Sequence, residues 1–151
     1  MRLISILDSA RIRCNAPAAS KKRVLEVLSE LLIEATDNPV TPHAVFDCLV
    51  NRERLGSTAL GFGVALPHGR MAKISEPVGA FLSVEQGVDF DSPDGGRVDL
   101  VFGLLVPEDS TEEHLQILSE LASLFDQDDL RASLRASDSP AAVFELLRTQ
   151  E

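Results

Sequence analysis

Three histidines, His43, His68 and His114, are the side chains of this sequence best suited to chemistry near neutral pH. His68 closes the stretch GSTALGFGVALPHGR, residues 56–70. Pro67 before it has a fixed φ, and Gly61, Gly63 and Gly69 strip side-chain bulk from its surroundings. The segment therefore presents one imidazole in a fixed place with little covering it. Glycine-rich segments often hold phosphates on backbone N–H groups, yet no Gly-Lys-Ser/Thr follows here. A neutral imidazole can itself attack phosphorus. Taken alone, Pro-His-Gly reads first as a histidine in a turn.

His114 changes that balance. It opens a helix that directly follows a long apolar run, and its spacing to Leu118 and Leu121 turns it inward. A buried core histidine is the plainer reading. The start of a helix, however, favours a nearby anion. Two imidazoles and a helix N-terminus form a cradle for a phosphoryl group. Arg52 and Arg54 end the helix before the glycine-rich stretch, and a guanidinium there would grip phosphate oxygens in bidentate fashion. Ser57 and Thr58 add hydroxyl donors, while Gly63 and Gly69 allow a phosphate-bearing group to approach closely. His43 falls in the first turn of another helix and reads as a surface residue.

Other functions fit the sequence poorly. A two-histidine metal hydrolase needs a third ligand, and no HxH, HExxH or CxxC accompanies the pair. Cys14 and Cys48 read as reduced thiols. The formal charge of −10 argues against a nucleic-acid partner and suits a basic protein partner. No apolar stretch approaches the ~20 residues of a membrane span, and MRLISIL is too short for a signal peptide. The expectation is a cytoplasmic protein needing no metal or cofactor.

The elements that must position these groups can be read in order. Ser20 caps a helix running to about Thr36, with Val24, Val27, Leu28, Leu31 and Leu32 on one face. Thr41 caps a second, with Pro42 at its first position and Gly56 at its end. Thr58 to Leu66 is extended but interrupted, and Val78 to Val84 is a strand. Val98 to Val106, nearly all apolar, is a central strand covered on both faces. Ser110 and Glu113 form a capping box for a third helix, whose inward face holds His114, Leu118, Leu121 and Phe125. Short helices near Asp129–Ala136 and Pro140–Thr149 follow. The whole chain, 1–151, is expected to form one α/β domain, a layered fold with helices packed on the faces of a sheet.

The run Arg52-Glu53-Arg54-Leu55-Gly56-Ser57-Thr58, followed by Gly61-Phe62-Gly63-Val64-Ala65-Leu66-Pro67-His68-Gly69, resembles the active-site signature of the fructose/mannitol-type enzyme IIA domains of the bacterial phosphotransferase system. Leu105-Val106-Pro107 with Glu113-His114-Leu115 resembles that family's second histidine motif. The likeness runs from about Leu3 to Leu147, and the free-standing length is similar to the nitrogen-regulatory branch, without attached IIB and IIC domains. The resemblance implies an α/β sandwich with a mixed sheet. It also implies that His68 accepts a phosphoryl group, as tele-phosphohistidine, from a phosphohistidine carrier protein (HPr or its nitrogen-branch relative). It implies supporting roles for His114 and Arg52, and a regulated target protein or a separate IIB as recipient. A sugar-specific IIA that passes phosphate to such a IIB is the alternative within the family. Phe62 departs from the pattern, since Asn is common there. It puts an apolar ring at the site rim and bears on donor preference.

Overall fold

A computed structural model describes residues 3–150. An open six-stranded sheet is built from β1 (Ile12–Ala16), β2 (Ala59–Gly61), β3 (Val64–Ala65), β4 (His68–Met71), β5 (Val78–Asp89) and β6 (Arg97–Pro107). Its order is β1-β5-β6-β3-β2, with β4 also pairing β6. β5 and β6 are antiparallel, β1 runs parallel to β5, and β3 and β4 both run parallel to β6. The sheet is mixed and the fold an α/β sandwich, as the resemblance to the enzyme IIA domains implies.

Five α-helices cover it: α1 (Lys21–Leu32), α2 (Pro42–Glu53), α3 (Thr111–Phe125), α4 (Asp128–Ala136) and α5 (Pro140–Arg148). Alternation along β6 sorts them onto two faces. Val101 and Leu105 point to a core shared with α1 and α2. Leu100, Phe102, Leu104 and Val106 point to a second core shared with α3, α4 and α5. The Val, Leu and Phe side chains of β6 from Val98 to Val106 are buried, each worth about 1.5–3 kcal/mol against exposure. At Gly103 α1 comes so close that a Cβ would sit 2.7 Å from the Leu28 side chain.

The capping signals hold at Ser20, which accepts from Arg23 N at 3.1 Å, and at Thr41, which accepts from Ala44 N at 3.1 Å. They fail at Ser110. Its backbone sits at φ −86°, ψ 78°, and its hydroxyl makes no cap bond, so the expected capping box is absent. That ψ is far from the extended value that aims an N-cap oxygen at the first turn. α1 stops at Leu32 rather than near Thr36, whose hydroxyl instead donates to Ile33 O. Thr58 to Leu66 is two short antiparallel strands around a turn at Gly61-Phe62-Gly63, all three at positive φ. β5 extends five residues past Val84, through an irregularity in register after Ser83.

Candidate functional site

The register of the edge strands decides where His68 points. Val64 pairs with Leu100 and His68 with Leu104, so the two strands follow β6 in one continuous phase. Val64 and Leu66 belong to the core on the α3 side. Two-residue alternation then sends His68 and Arg70 to that same side and Gly69 to the other. There a Cβ on Gly69 would collide with Cys48 Sγ of α2. Gly69 thus lets α2, with Arg52 in its last turn, lie directly on β4.

α3 supplies the second imidazole. The His68 and His114 rings are 5.1 Å apart, centroid to centroid, at 71° to one another. His68 Nδ1 lies 2.7 Å from the Leu66 carbonyl oxygen. A carbonyl can only accept, so in the neutral ring Nδ1 carries the proton and Nε2 keeps its lone pair. His114 is 9% exposed, and its buried Nε2 has no hydrogen-bond partner. An orphaned buried polar atom is costly and calls for an explanation at a functional site.

Both imidazoles are biased toward the neutral form. Burial lowers the pKa of His68 from its ordinary value; the Arg52 charge acts the same way, and the bond to Leu66 and the Glu53 charge act against it. Burial, followed by His68 and the charges of Arg70 and Arg52, pushes His114 down to about 4. A positive potential thus surrounds two neutral rings.

A cavity of about 320 Å³ opens beside His68. Arg52, Ser57, Thr58 and Leu60 form one side, and Leu118 and Ser119 of α3 another. Arg52 Nη1 donates to Gly56 O at 2.8 Å, and Arg52 has no carboxylate partner among the described residues. The two hydroxyls are already engaged: Ser57 Oγ donates to Phe90 O at 2.6 Å, and Thr58 Oγ1 donates to Glu53 Oε2. Gly63 and Gly69 do not line the cavity. Gly63 leaves room for Arg135 and Asp99, as Gly69 does for Cys48. Of the four residues expected to cradle phosphate, Ser57 and Thr58 thus line the cavity with their hydroxyls engaged, and Gly63 and Gly69 lie outside it. Arg54 reaches only Asn51, and His43 pairs with Asp47 on the surface. Among the described residues no three His, Cys, Asp or Glu side chains converge as a metal would require.

Two contributors escaped the sequence reading. Glu53 is nearly buried, binds Lys21 Nζ at 3.0 Å and accepts from both the amide and the hydroxyl of Thr58. It anchors the segment after Arg52. Arg70 was detectable from its spacing alone, since i and i+2 on a strand share a face.

Leu55, Leu60, Phe62 and Leu115 are the exposed large hydrophobic residues among those described, and each lies within three residues of Arg52, Thr58, Gly63 or His114. The model of the family described as "Phosphoenolpyruvate-dependent sugar phosphotransferase system, EIIA 2" matches residues 5–150. The chain belongs to this family. A nitrogen regulatory protein of Pseudomonas aeruginosa is 42% identical over 147 residues, spanning 97% of this chain and 95% of that one. The crystal structure of nitrogen regulatory protein IIA-Ntr from Neisseria meningitidis superposes with a TM-score of 0.88 at 44% identity, covering 95% and 97% of the two chains. IIA mannitol from Escherichia coli superposes at 0.78 and 26% identity, covering 93% and 98%. The EIIA chain is thus similar along nearly its whole length to nitrogen regulatory proteins. None of its described helices is long and apolar enough to cross a membrane.

Proposed function

We propose that this EIIA chain accepts a phosphoryl group on His68 Nε2 from the phosphohistidine of a carrier protein, HPr or its nitrogen-branch relative, and that its phosphorylation state regulates partner proteins in the cytoplasm. The observation that carries the reading is the 2.7 Å contact of His68 Nδ1 with the Leu66 carbonyl, beside the unpartnered Nε2 of His114.

The Nε2 lone pair forms the new P–N bond as the carrier's P–N bond breaks, and the bonding electrons return to the carrier's imidazole. The carrier ring takes up one proton from solvent, and the phosphorylated His68 ring later releases one from Nδ1. During attack that proton stays on Nδ1, which donates to the Leu66 carbonyl and so holds the ring in line. Such a transfer depends on positioning and charge stabilisation more than on covalent machinery. His114, neutral, offers an N–H to a phosphoryl oxygen, and Arg52 and Arg70 offset the phosphoryl charge.

The regulatory reading is supported by the names of the similar proteins above. The experiment is incubation with the phosphorylated carrier followed by mapping of the acid-labile phosphate. Label is expected on His68 alone, and label on a His68→Ala variant overturns the assignment.

A further inference from the structure

The turn that presents Phe62 is expensive to build and contributes little to the core. Phe62 has φ 56°, in the left-handed region that Asn tolerates and a bulky residue does not. Its ring is 63% exposed. Both features oppose folding, yet the surroundings fix the conformation from three sides. Phe62 N donates to Asp94 Oδ2 at 3.0 Å. Its carbonyl accepts from Arg135 Nη2 at 2.6 Å, and Arg135 is itself held by Asp99 at 2.9 Å. The Arg131 guanidinium lies 4.7 Å from the ring centroid, covering one face, and is anchored in turn on Phe125 O at 2.7 Å and on Asp128. The groups thus hold an exposed ring in a strained backbone, with one face and its edges left to solvent.

We infer that Phe62 is a specificity-determining contact for the carrier protein that delivers the phosphoryl group to His68, with Arg135 and Asp94 as its positioning residues. The inference rests on the function proposed above. The carrier is the occupant because Leu60, two residues before Phe62, is half-exposed and lines the His68 cavity that the carrier must reach. Phe62 lies six residues before His68, at most about 20 Å of extended chain. A standard interface of ~800 Å² per partner is roughly 30 Å across and reaches both. A rigid aromatic ring, pre-ordered before the encounter, is the kind of group that dominates such contacts.

Two donors separate this inference from the function beneath it. One is the phosphorylated nitrogen-branch carrier. The other is phosphoramidate, whose P–N bond breaks as ammonia leaves, and which needs no docking surface. Phe62→Asn relieves the backbone strain and removes the ring. The variant is expected to melt no lower than the parent and to be labelled by phosphoramidate at the parent rate. With the carrier its KM is expected to rise about tenfold at unchanged kcat. Arg135→Met is expected to raise the carrier KM less, and to add nothing in the Phe62→Asn background. An unchanged carrier KM in Phe62→Asn overturns the inference while leaving the function standing. So does an unfolded Phe62→Asn, since the ring would then belong to the core. An additive Arg135→Met effect removes the positioning role. If neither donor labels His68 in the parent, the function itself falls.

Discussion

The β5–β6 hairpin and the β2–β4 edge belong to one sheet but are built on opposite terms. β5 and β6 are 12 and 11 residues long, buried along most of their length and covered on both faces. β2, β3 and β4 have 3, 2 and 4 residues, and the turn between β2 and β3 holds three consecutive positive-φ positions. The first region carries packing. The second carries the histidine, the strained turn and the exposed Leu60 and Phe62. Beside it, on α3, lies a buried nitrogen without a partner. Stability and candidate chemistry are thus separated along one sheet, and strain is concentrated where it has a use.

Substitutions should divide along the same line. His68→Ala should abolish carrier-dependent phosphorylation and leave the melting temperature within a degree or two, checked by phosphate mapping and thermal unfolding. A large drop in melting temperature would place His68 among the packing residues. Phe102→Ala, in the hairpin, should do the reverse: about 3–5 kcal/mol of lost stability by denaturant titration, with His68 still labelled in the remaining folded fraction. His114→Ala should slow phosphorylation of His68 by roughly 10- to 100-fold without moving the label. A parent-like rate would make His114 an ordinary packing residue.

A finer test uses pH. His114 is held near 4 in the folded protein, against an ordinary value of 6.5. Between those values the unfolded chain binds a proton that the folded chain does not. The parent should therefore lose stability as pH falls from about 6.5 to 4, by up to ~3 kcal/mol more than His114→Asn loses. Equal slopes for the two proteins would show that His114 titrates normally. The smallest effect concerns salt. The overall charge of −10 should steer a basic carrier, so the transfer rate should fall a few-fold between low and high ionic strength. A salt-independent rate removes the steering.

The hairpin was largely legible in the sequence because burial on both faces writes itself as an uninterrupted apolar run, and β6 was expected within a residue at each end. So were the N-termini of α1 and α2, where Ser20 and Thr41 make local bonds that depend only on neighbours. β1 was not seen. Its residues Arg13 and Asn15 break the pattern, and it owes its existence to pairing with β5 some 68 residues away. β4 escaped for a similar reason: four residues around His68 have no strand signal of their own and are held by β6. At the candidate site, His68 and His114 were singled out by residue type and spacing and Arg52 by the family resemblance; the fold brings the two imidazoles together and places Arg52 on the cavity beside His68. The roles of Gly63 and Gly69 could not be read, because what a glycine admits depends on which side chain arrives from another element: Arg135 and Asp99 in one case, Cys48 in the other.

The parallel pairing of β4 with β6 also dates the site in the life of the chain. A ribosome that has released the first 71 residues has made the entire glycine-rich motif, yet nothing then holds His68 in register. Its partner Leu104 comes 36 residues later, and His114 another ten after that. The nascent chain therefore lacks the paired imidazoles until translation passes α3. A truncated product ending before Arg97 would carry the motif intact and still lack the strand that aims it.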